Sequence, residues 1–224
     1  FRPAISKTQY QAHIGRIQDY ILAGDCYQVN YAQRFEAALE GDAWSAYRYV
    51  RTLLAGGFSG FLRTAEDHAI LSLSPERFLR IHQGTVTSQP IKGTAPRHSD
   101  PEQDAALAKA LLNSEKDRAE NVMITDLLRN DLGQFCQTGS VKVTELCGLH
   151  SYNNVHHLVS TVEGKLAPGV SAGQMLLATS PGGSITGAPK KRAVEIIAEL
   201  EPAPRGAYCG SLFILGGDDW LQSS

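Results

Sequence analysis

Two residues stand in surroundings that suit catalysis. Lys92 lies in the run Gln89-Pro-Ile-Lys-Gly-Thr94, and Glu76 lies in Leu73-Ser-Pro-Glu-Arg77, at the entrance to a predicted strand. A lysine held in a pocket can act as a nucleophile, because removal from water favours its neutral amine. The alternatives are a solvated turn for the lysine and a surface ion pair with Arg77 for the glutamate.

Acidic residues stand at the start of a helix that is predicted from Ser114. Within the run Lys116–Asn121, Asp117 and Glu120 are three residues apart and therefore share one helix face. Carboxylates beside an apolar stripe can hold a hard cation such as Mg²⁺. The commoner alternative is a solvated first turn, in which the acids interact favourably with the helix dipole.

A glycine-rich segment, Gly182–Lys190, precedes another predicted helix. Its first glycines have the spacing of a phosphate loop, but Ala188 occupies the position of the required lysine, and Pro189 removes a backbone donor. We therefore do not expect a nucleotide here. Backbone N–H groups at such a turn also suit a carboxylate, and the alternative is a plain loop that leads into a helix.

His156 and His157 are adjacent in a predicted strand. Successive side chains of a strand point to opposite faces, so the two rings cannot bind one metal ion. We expect one ring to point into a site while the other faces outward. Taken alone, each ring is more readily structural than catalytic.

Runs of strands between helix pairs carry these residues. Helices are predicted at residues 6–24, 42–55, from 100 onward, 114–129, 171–178 and 189–200. Strands are predicted at residues 26–35, 58–63, 69–73, 77–82, 85–89, 140–146, 155–163 and 206–215. This order favours an α+β protein with a largely antiparallel sheet over strict βαβ alternation.

Composition restricts the possible partners and the compartment. The 224 residues include 21 Lys and Arg against 23 Asp and Glu, so no basic surplus favours nucleic acid. Residues 166–189 are uncharged, but Gly, Pro and Ser interrupt them, and we expect no membrane span. The four cysteines have no metal-binding spacing, and residues 1–12 are too polar for a signal peptide. A cytoplasmic location is therefore expected.

Taken in order, eight segments of the chain resemble the chorismate-utilising enzyme family. They are Gly24–Asn30, Leu73–Arg77, Pro90–Thr94, Lys116–Asn121, Asp126–Asp131, His157–Ser160, Gly182–Lys190 and Arg205–Gly210. An ordered set of this length is very improbable by chance. The resemblance implies the family's two-layer α/β sandwich of the anthranilate synthase component I type, with largely antiparallel sheets and flanking helices.

Within the family, Lys92 is similar to the lysine of the branch that forms 4-amino-4-deoxychorismate, on the way to para-aminobenzoate and folate. Anthranilate-forming members typically have Ala at this position, and isochorismate-forming members also lack the lysine. The resemblance implies that Lys92 attacks C2 of chorismate and that Glu76 serves as general acid and then base. Ammonia from a glutamine amidotransferase subunit then attacks C4.

The resemblance also implies the remaining site residues. Glu120 matches the carboxylate that holds Mg²⁺ over a substrate carboxylate, and Asp117 is expected to support Glu120. Five residues match positions that contact the substrate: Thr94, His157, Gly183, Ser184 and Tyr208.

We interpret residues 1–224 as one chorismate-binding catalytic domain that lacks the family's N-terminal domain and its last C-terminal strands. A chain of this extent is expected to be inactive by itself. Two other interpretations stay open. One is an anthranilate synthase, which Lys92 disfavours. The other is a module that only binds chorismate, in which Lys92 and Glu76 would have no reason to occur together.

Overall fold

The computed structural model describes residues 1–54, 57–217 and 220–224. The chain forms two compact units, each built from two segments. The first unit consists of Phe1–Asp42 and Pro181–Gly210, and the second consists of Ala43–Ser180 and Ser211–Ser224. No linker marks these boundaries in the sequence, because a distant segment of the chain completes each unit.

Runs of strands stand between helices along the described residues. The helices are α1 (Lys7–Leu22), α2 (Ala43–Leu53), α3 (Pro101–Leu112), α4 (Glu115–Gly133), α5 (Ala172–Thr179) and α6 (Lys190–Leu200). The strands are β1 (Arg2–Pro3), β2 (Gln28–Val29), β3 (Phe35–Glu36), β4 (Phe58–Ala65), β5 (His68–Ser74), β6 (Arg77–His82), β7 (Thr85–Gln89), β8 (Ile91–Pro96), β9 (Lys142–Ser151), β10 (Val155–Lys165), β11 (Gly187–Ala188), β12 (Phe213–Leu215) and β13 (Leu221–Ser223).

Helices α1 and α6 form the core of the first unit. Ile17 of α1 packs with Cys26 and with Ile196 and Leu200 of α6. The Ser6 side chain caps α1 in a reciprocal hydrogen-bond arrangement with residue 9, as the sequence predicts. The apolar faces of both helices are thereby buried against each other.

The predicted strand at residues 26–35 is wrong over most of its length. Only the two-residue strands β2 and β3 form there. The N–H groups of Tyr27 and Asn30 donate to the carbonyls of Ala188 and Thr186. This segment is therefore shaped by the loop before α6, a partner that lies far away in the sequence.

A seven-stranded antiparallel sheet dominates the second unit. Its order is β12-β13-β6-β7-β10-β8, and β9 pairs with the opposite edge of β10. Strands β7 and β8 lie end to end along one edge of β10, separated by Pro90. The site residues that follow Pro90 are thus held by the longest strand of the sheet.

Apolar side chains from the sheet and from helices α4 and α5 form the core of the second unit. Leu79, Ile81 and Val86 pack with Ile124 of α4 and Met175 of α5. Asp100 and Ser114 cap α3 and α4 as predicted, although α4 continues to Gly133 instead of ending near Arg129. These contacts fix α4 against the sheet.

Two strand predictions need correction. The predicted strand at 206–215 is a strand only at β12, because positive φ angles at Gly206 and Cys209 produce turns before it. Strand β8 was not predicted, since Pro90 and Gly93 interrupt its alternating pattern. Helix α2 ends at Leu53, and the predicted end at residue 55 lies outside the described residues.

The described strands pair antiparallel throughout, and helices flank them, which confirms the predicted α+β class. In the described ranges, every helix is too short or too polar to reach across a lipid bilayer.

Candidate functional site

Lys92 lies in a β-bulge of β8. The pairing of β8 with β10 shifts by one residue at this point, so Lys92 and Gly93 together stand opposite Leu158 alone. A bulge bends its strand and redirects the side chains that it contains. The backbone therefore gives Lys92 a direction that a regular strand would not give.

Gly93 makes the bulge possible. Its φ of +95° lies in a region that side chains rarely adopt. A Cβ at this position would lie 3.0 Å from Asp117 Cβ and 3.2 Å from Leu158 Cδ1. Any larger residue would therefore strain the backbone and press against α4.

The bulge brings Lys92 together with Glu120 of α4. Lys92 Nζ lies 3.3 Å from Glu120 Oε1, and the two side chains are only 14% and 28% exposed. Partly buried charges are costly unless they are paired. Lys92 and Glu120, two of the predicted site residues, thus form an ion pair.

Asp117 begins α4 one turn before Glu120. Its carboxylate accepts a hydrogen bond of 2.6 Å from Ser114 Oγ, and its own N–H donates to the same oxygen at 3.3 Å. Asp117 therefore fixes the start of the helix that carries Glu120.

His157 and Thr94 form a second pair across β8 and β10. His157 Nδ1 lies 2.9 Å from Thr94 Oγ1, and the ring meets Tyr152 edge-on. Burial lowers the pKa of His157 below its ordinary value, although a hydrogen bond to the backbone of Gly93 opposes this effect. The His157 ring is therefore mainly neutral at pH 7.

His156 has other partners, as expected for adjacent residues of a strand. Its Nε2 lies 3.1 Å from Asp104 of α3, and its Nδ1 lies 2.7 Å from Ser151 Oγ. Hydrogen bonds from Arg97 hold the pKa of Asp104 well below its usual range. The expectation that one of the two rings faces outward is wrong, because His156 is buried against Asp104 and His157 is also buried.

Glu76 lies where β5 leads into β6. Its N–H donates to Ser74 Oγ at 3.2 Å, which closes a tight turn before the strand. Arg77 of β6 pairs with Gln89 of β7, so the Glu76 backbone lies next to Pro90, the residue between β7 and β8. Lys92 follows Pro90 by two residues. Both predicted catalytic residues therefore lie at the edge of the sheet where β6 begins and β7 ends.

The remaining predicted residues lie in the first unit. Gly183 and Ser184 form a short 3₁₀ turn, and the Ser184 carbonyl accepts a hydrogen bond of 3.1 Å from Asn30 Nδ2. Arg205 also holds this loop through the Ile185 carbonyl, at 2.8 Å. Asn30 and Arg205 lie in two of the segments that resemble the family, but the sequence indicated no role for either.

Tyr208 is mostly exposed and follows Arg205 in a turn. The two residues lie beside a cavity of about 410 Å³ in the first unit, which Phe35 and Glu201 also line. The phenol is thus accessible to a small molecule that enters this cavity.

Glu120 is a suitable ligand for Mg²⁺ but does not belong to a cluster of metal-binding side chains among the described residues. Across residues 1–54, 57–217 and 220–224, no three His, Cys, Asp or Glu side chains lie close enough to hold a metal ion. Mg²⁺ is often bound by one or two carboxylates, with water and substrate oxygens completing its shell. The half-buried Glu120 carboxylate fits that donor set only as one ligand among several.

Asn121 is a further residue whose role sequence reasoning missed. It is fully buried, and its Nδ2 donates to the carbonyls of Leu158 at 3.0 Å and Lys92 at 3.4 Å. A signal was available, since Asn121 shares the apolar face of α4 with Ile124 and Leu128. A polar residue on a buried helix face must find hydrogen-bond partners.

Comparison with known proteins decides the family. A family model described as chorismate binding enzyme matches residues 1–224. The chain belongs to this family. Aminodeoxychorismate synthase component 1 of Klebsiella aerogenes is 52% identical to the chain over its full length, and the match covers 49% of that protein. Anthranilate synthase component 1 of Pseudomonas aeruginosa is 43% identical over 95% of the chain and 43% of that protein.

A solved family structure agrees with the fold. Anthranilate synthase component I from Streptococcus pneumoniae superposes with a TM-score of 0.90 at 35% identity, over all of this chain and 49% of that one. The chain thus spans about half the length of the relatives it matches. The family and its fold are shown over the residues described here.

Proposed function

We propose that the protein carrying this chain forms 4-amino-4-deoxychorismate from chorismate and ammonia, a transferase reaction that leads to para-aminobenzoate and folate. The observation that carries the proposal is the half-buried pair of Lys92 and Glu120 in a β-bulge. An amine held in this way has a fixed direction and little contact with water, which suits a nucleophile. Similarity to aminodeoxychorismate synthases, at 52% identity, supports the same branch.

The proposed reaction has two substitutions. The Lys92 amine forms a bond to C2 of chorismate, the two ring double bonds shift, and the C4–O bond breaks. Glu76 gives its proton to the departing hydroxyl, which leaves as water. Ammonia then attacks C4, the bond from C2 to Lys92 breaks, and Glu76 takes a proton from the new amine. Both residues return to their starting states.

The other residues bind and orient the substrate in this proposal. Thr94 and the neutral His157 offer hydrogen bonds beside the lysine, and Asp117 keeps α4 in place. For Gly183, Ser184 and Tyr208 of the first unit, the family resemblance is the ground for proposing substrate contacts. Bound Mg²⁺ would neutralise a substrate carboxylate, and Glu120 is the residue of this chain that would hold it.

A glutamine amidotransferase subunit is the proposed source of ammonia, in line with the "component 1" in the names of the relatives. We also propose a cytoplasmic location. The four cysteines carry no disulfide, and three of them are buried as small apolar side chains.

The experiment is a product analysis with chorismate, an ammonium salt and Mg²⁺. We expect aminodeoxychorismate from the wild type and from the matched control Lys165→Ala, whose side chain is exposed at the end of β10. Lys92→Ala should lose more than tenfold in turnover, a barrier change above about 1.4 kcal/mol. Anthranilate as the product would support the second branch instead, and binding without any product would indicate a non-catalytic module.

A further inference from the structure

The Asn121 side chain is held by hydrogen bonds inside the second unit. Its Nδ2 donates to two carbonyls, those of Lys92 and Leu158. Its Oδ1 accepts from Ser160 Oγ at 2.5 Å and from Thr125 Oγ1 at 3.3 Å. The Thr125 hydroxyl donates more closely to the Asn121 backbone carbonyl, at 2.7 Å, so the bond from Ser160 is the main one at Oδ1.

The two carbonyls that Asn121 holds are those on either side of the bulge. Lys92 is one of the two β8 residues in the bulge, and Leu158 is the single β10 residue opposite them. The register shift disturbs the regular ladder between these strands at this point. The Asn121 amide of α4 supplies hydrogen bonds at this register shift, where the hydrogen bonds between the strands do not by themselves fix the backbone geometry.

Ser160 fixes the orientation of this amide. Its hydroxyl donates to Asn121 Oδ1 and accepts from the N–H of Cys147 at 2.9 Å. A second register shift lies between β9 and β10 beside Ser160. One chain of hydrogen bonds thus runs from β9 through Ser160 and Asn121 to the backbone of Lys92.

We propose that Asn121 is the positioning residue for Lys92, with Ser160 as the group that orients its amide. Together they hold the β-bulge in the one geometry that directs the Lys92 side chain toward its reaction partner. The inference rests on the proposed function, because it assigns a purpose to the direction of that amine. A misplacement of about 1 Å at a reacting group can cost about a hundredfold in rate.

The experiment compares three variants of the whole protein. Asn121→Asp keeps the shape but cannot donate to the two carbonyls. Ser160→Ala removes only the hydroxyl that orients the amide. Thr179→Val is the matched control, since Thr179 is a buried helix hydroxyl that bonds the Met175 carbonyl in α5. For each we measure kcat, chorismate affinity by calorimetry, melting temperature, and hydrogen–deuterium exchange of residues 90–96.

We expect Asn121→Asp to lower kcat by about a hundredfold and to speed exchange in residues 90–96, with chorismate affinity within about twofold of wild type. Ser160→Ala should show the same pattern with a loss of about tenfold, the size of one lost hydrogen bond. Thr179→Val should lower only the melting temperature.

Three results would overturn the inference. They are wild-type kcat in Asn121→Asp, wild-type kcat in Ser160→Ala, and losses of kcat in these two variants that the loss of folded protein fully accounts for. If Asn121→Asp fails to fold, the Ser160→Ala result decides. If the wild type does not aminate chorismate, the proposed function fails. Hydrogen–deuterium exchange then still tests the positioning role, because unchanged exchange of residues 90–96 in Asn121→Asp would reject it.

Discussion

Lys92 and Glu120 show how a small change in backbone geometry gives ordinary side chains an unusual environment. A lysine in a strand and a glutamate in the first turns of a helix are normally solvated. Here both side chains are mostly buried, and Lys92 Nζ lies 3.3 Å from Glu120 Oε1. Removing either charge would deprive the other, partly buried charge of this ion pair, which costs more than losing a surface ion pair. The pair is therefore the feature on which the proposed chemistry depends.

Glu76 gives a prediction at the same scale. Glu76→Gln keeps the shape of the side chain but cannot give a proton to the departing hydroxyl. We expect chorismate binding to persist while kcat falls by about 10²- to 10⁴-fold, the range for a general acid. Steady-state kinetics with calorimetric binding would check this. An unchanged kcat with a raised KM would mean that Glu76 only binds the substrate.

At the scale of elements, the bulge of β8 depends on Gly93, and a matched glycine tests this. Gly84 also has a positive φ, but a Cβ there would meet nothing within 4 Å. Gly84→Ala should lower the free energy of unfolding by about 1 to 2 kcal/mol, the cost of left-handed backbone. Gly93→Ala should cost about 1 to 3 kcal/mol more, because its Cβ also presses on α4.

Chemical denaturation of both variants gives the comparison. Equal losses of stability at the two glycines would show that the space around Gly93 relaxes freely. The contact between β8 and α4 would then not constrain the bulge.

The link between α3 and β10 predicts a dependence on pH. Because the Asp104 pKa is depressed in the folded state, the unfolded chain binds more protons as pH falls below the ordinary value of 3.8. The stability that Asp104 provides is therefore present above that pH and lost below it. Asp104→Asn should lower stability near pH 7 and flatten its decline in acid.

Thermal unfolding from pH 2 to pH 7 measures this effect. Asp126→Asn is the control, since the Asp126 side chain is 74% exposed and an exposed pair with Arg129 contributes little. An acid decline in Asp104→Asn as steep as that of the wild type would contradict the assignment.

For the whole molecule, sequence patterns predicted the features that depend on interactions between neighbouring residues, such as helix starts. The caps at Ser6, Asp100 and Ser114 gave three helix starts, because a cap bonds residues within one turn. The strand near residue 28 pairs with β11, which is distant in the sequence, and turns at Gly206 and Cys209 shorten the strand near residue 213, so the extent of both was overestimated. Local propensity contains no information about such partners.

The site was predictable in its residue types but not in its geometry. The ordered motifs named Lys92 and Glu120, and the fold brings them together. The bulge and the role of Asn121 were not predictable, since a register shift is a property of two paired strands and not of either sequence. The distribution of the named residues over two units of the chain was equally hidden.

The central claim is that Lys92 forms a covalent bond to the substrate, and mass spectrometry tests it most directly. The whole protein is incubated with chorismate and Mg²⁺ without ammonia, quenched, digested and mapped. The account predicts an increment of chorismate minus water on the peptide that contains Lys92, lost on addition of ammonia and absent from Lys92→Ala. Aminodeoxychorismate formed at the wild-type rate by Lys92→Ala, or an increment on another residue, would contradict the account.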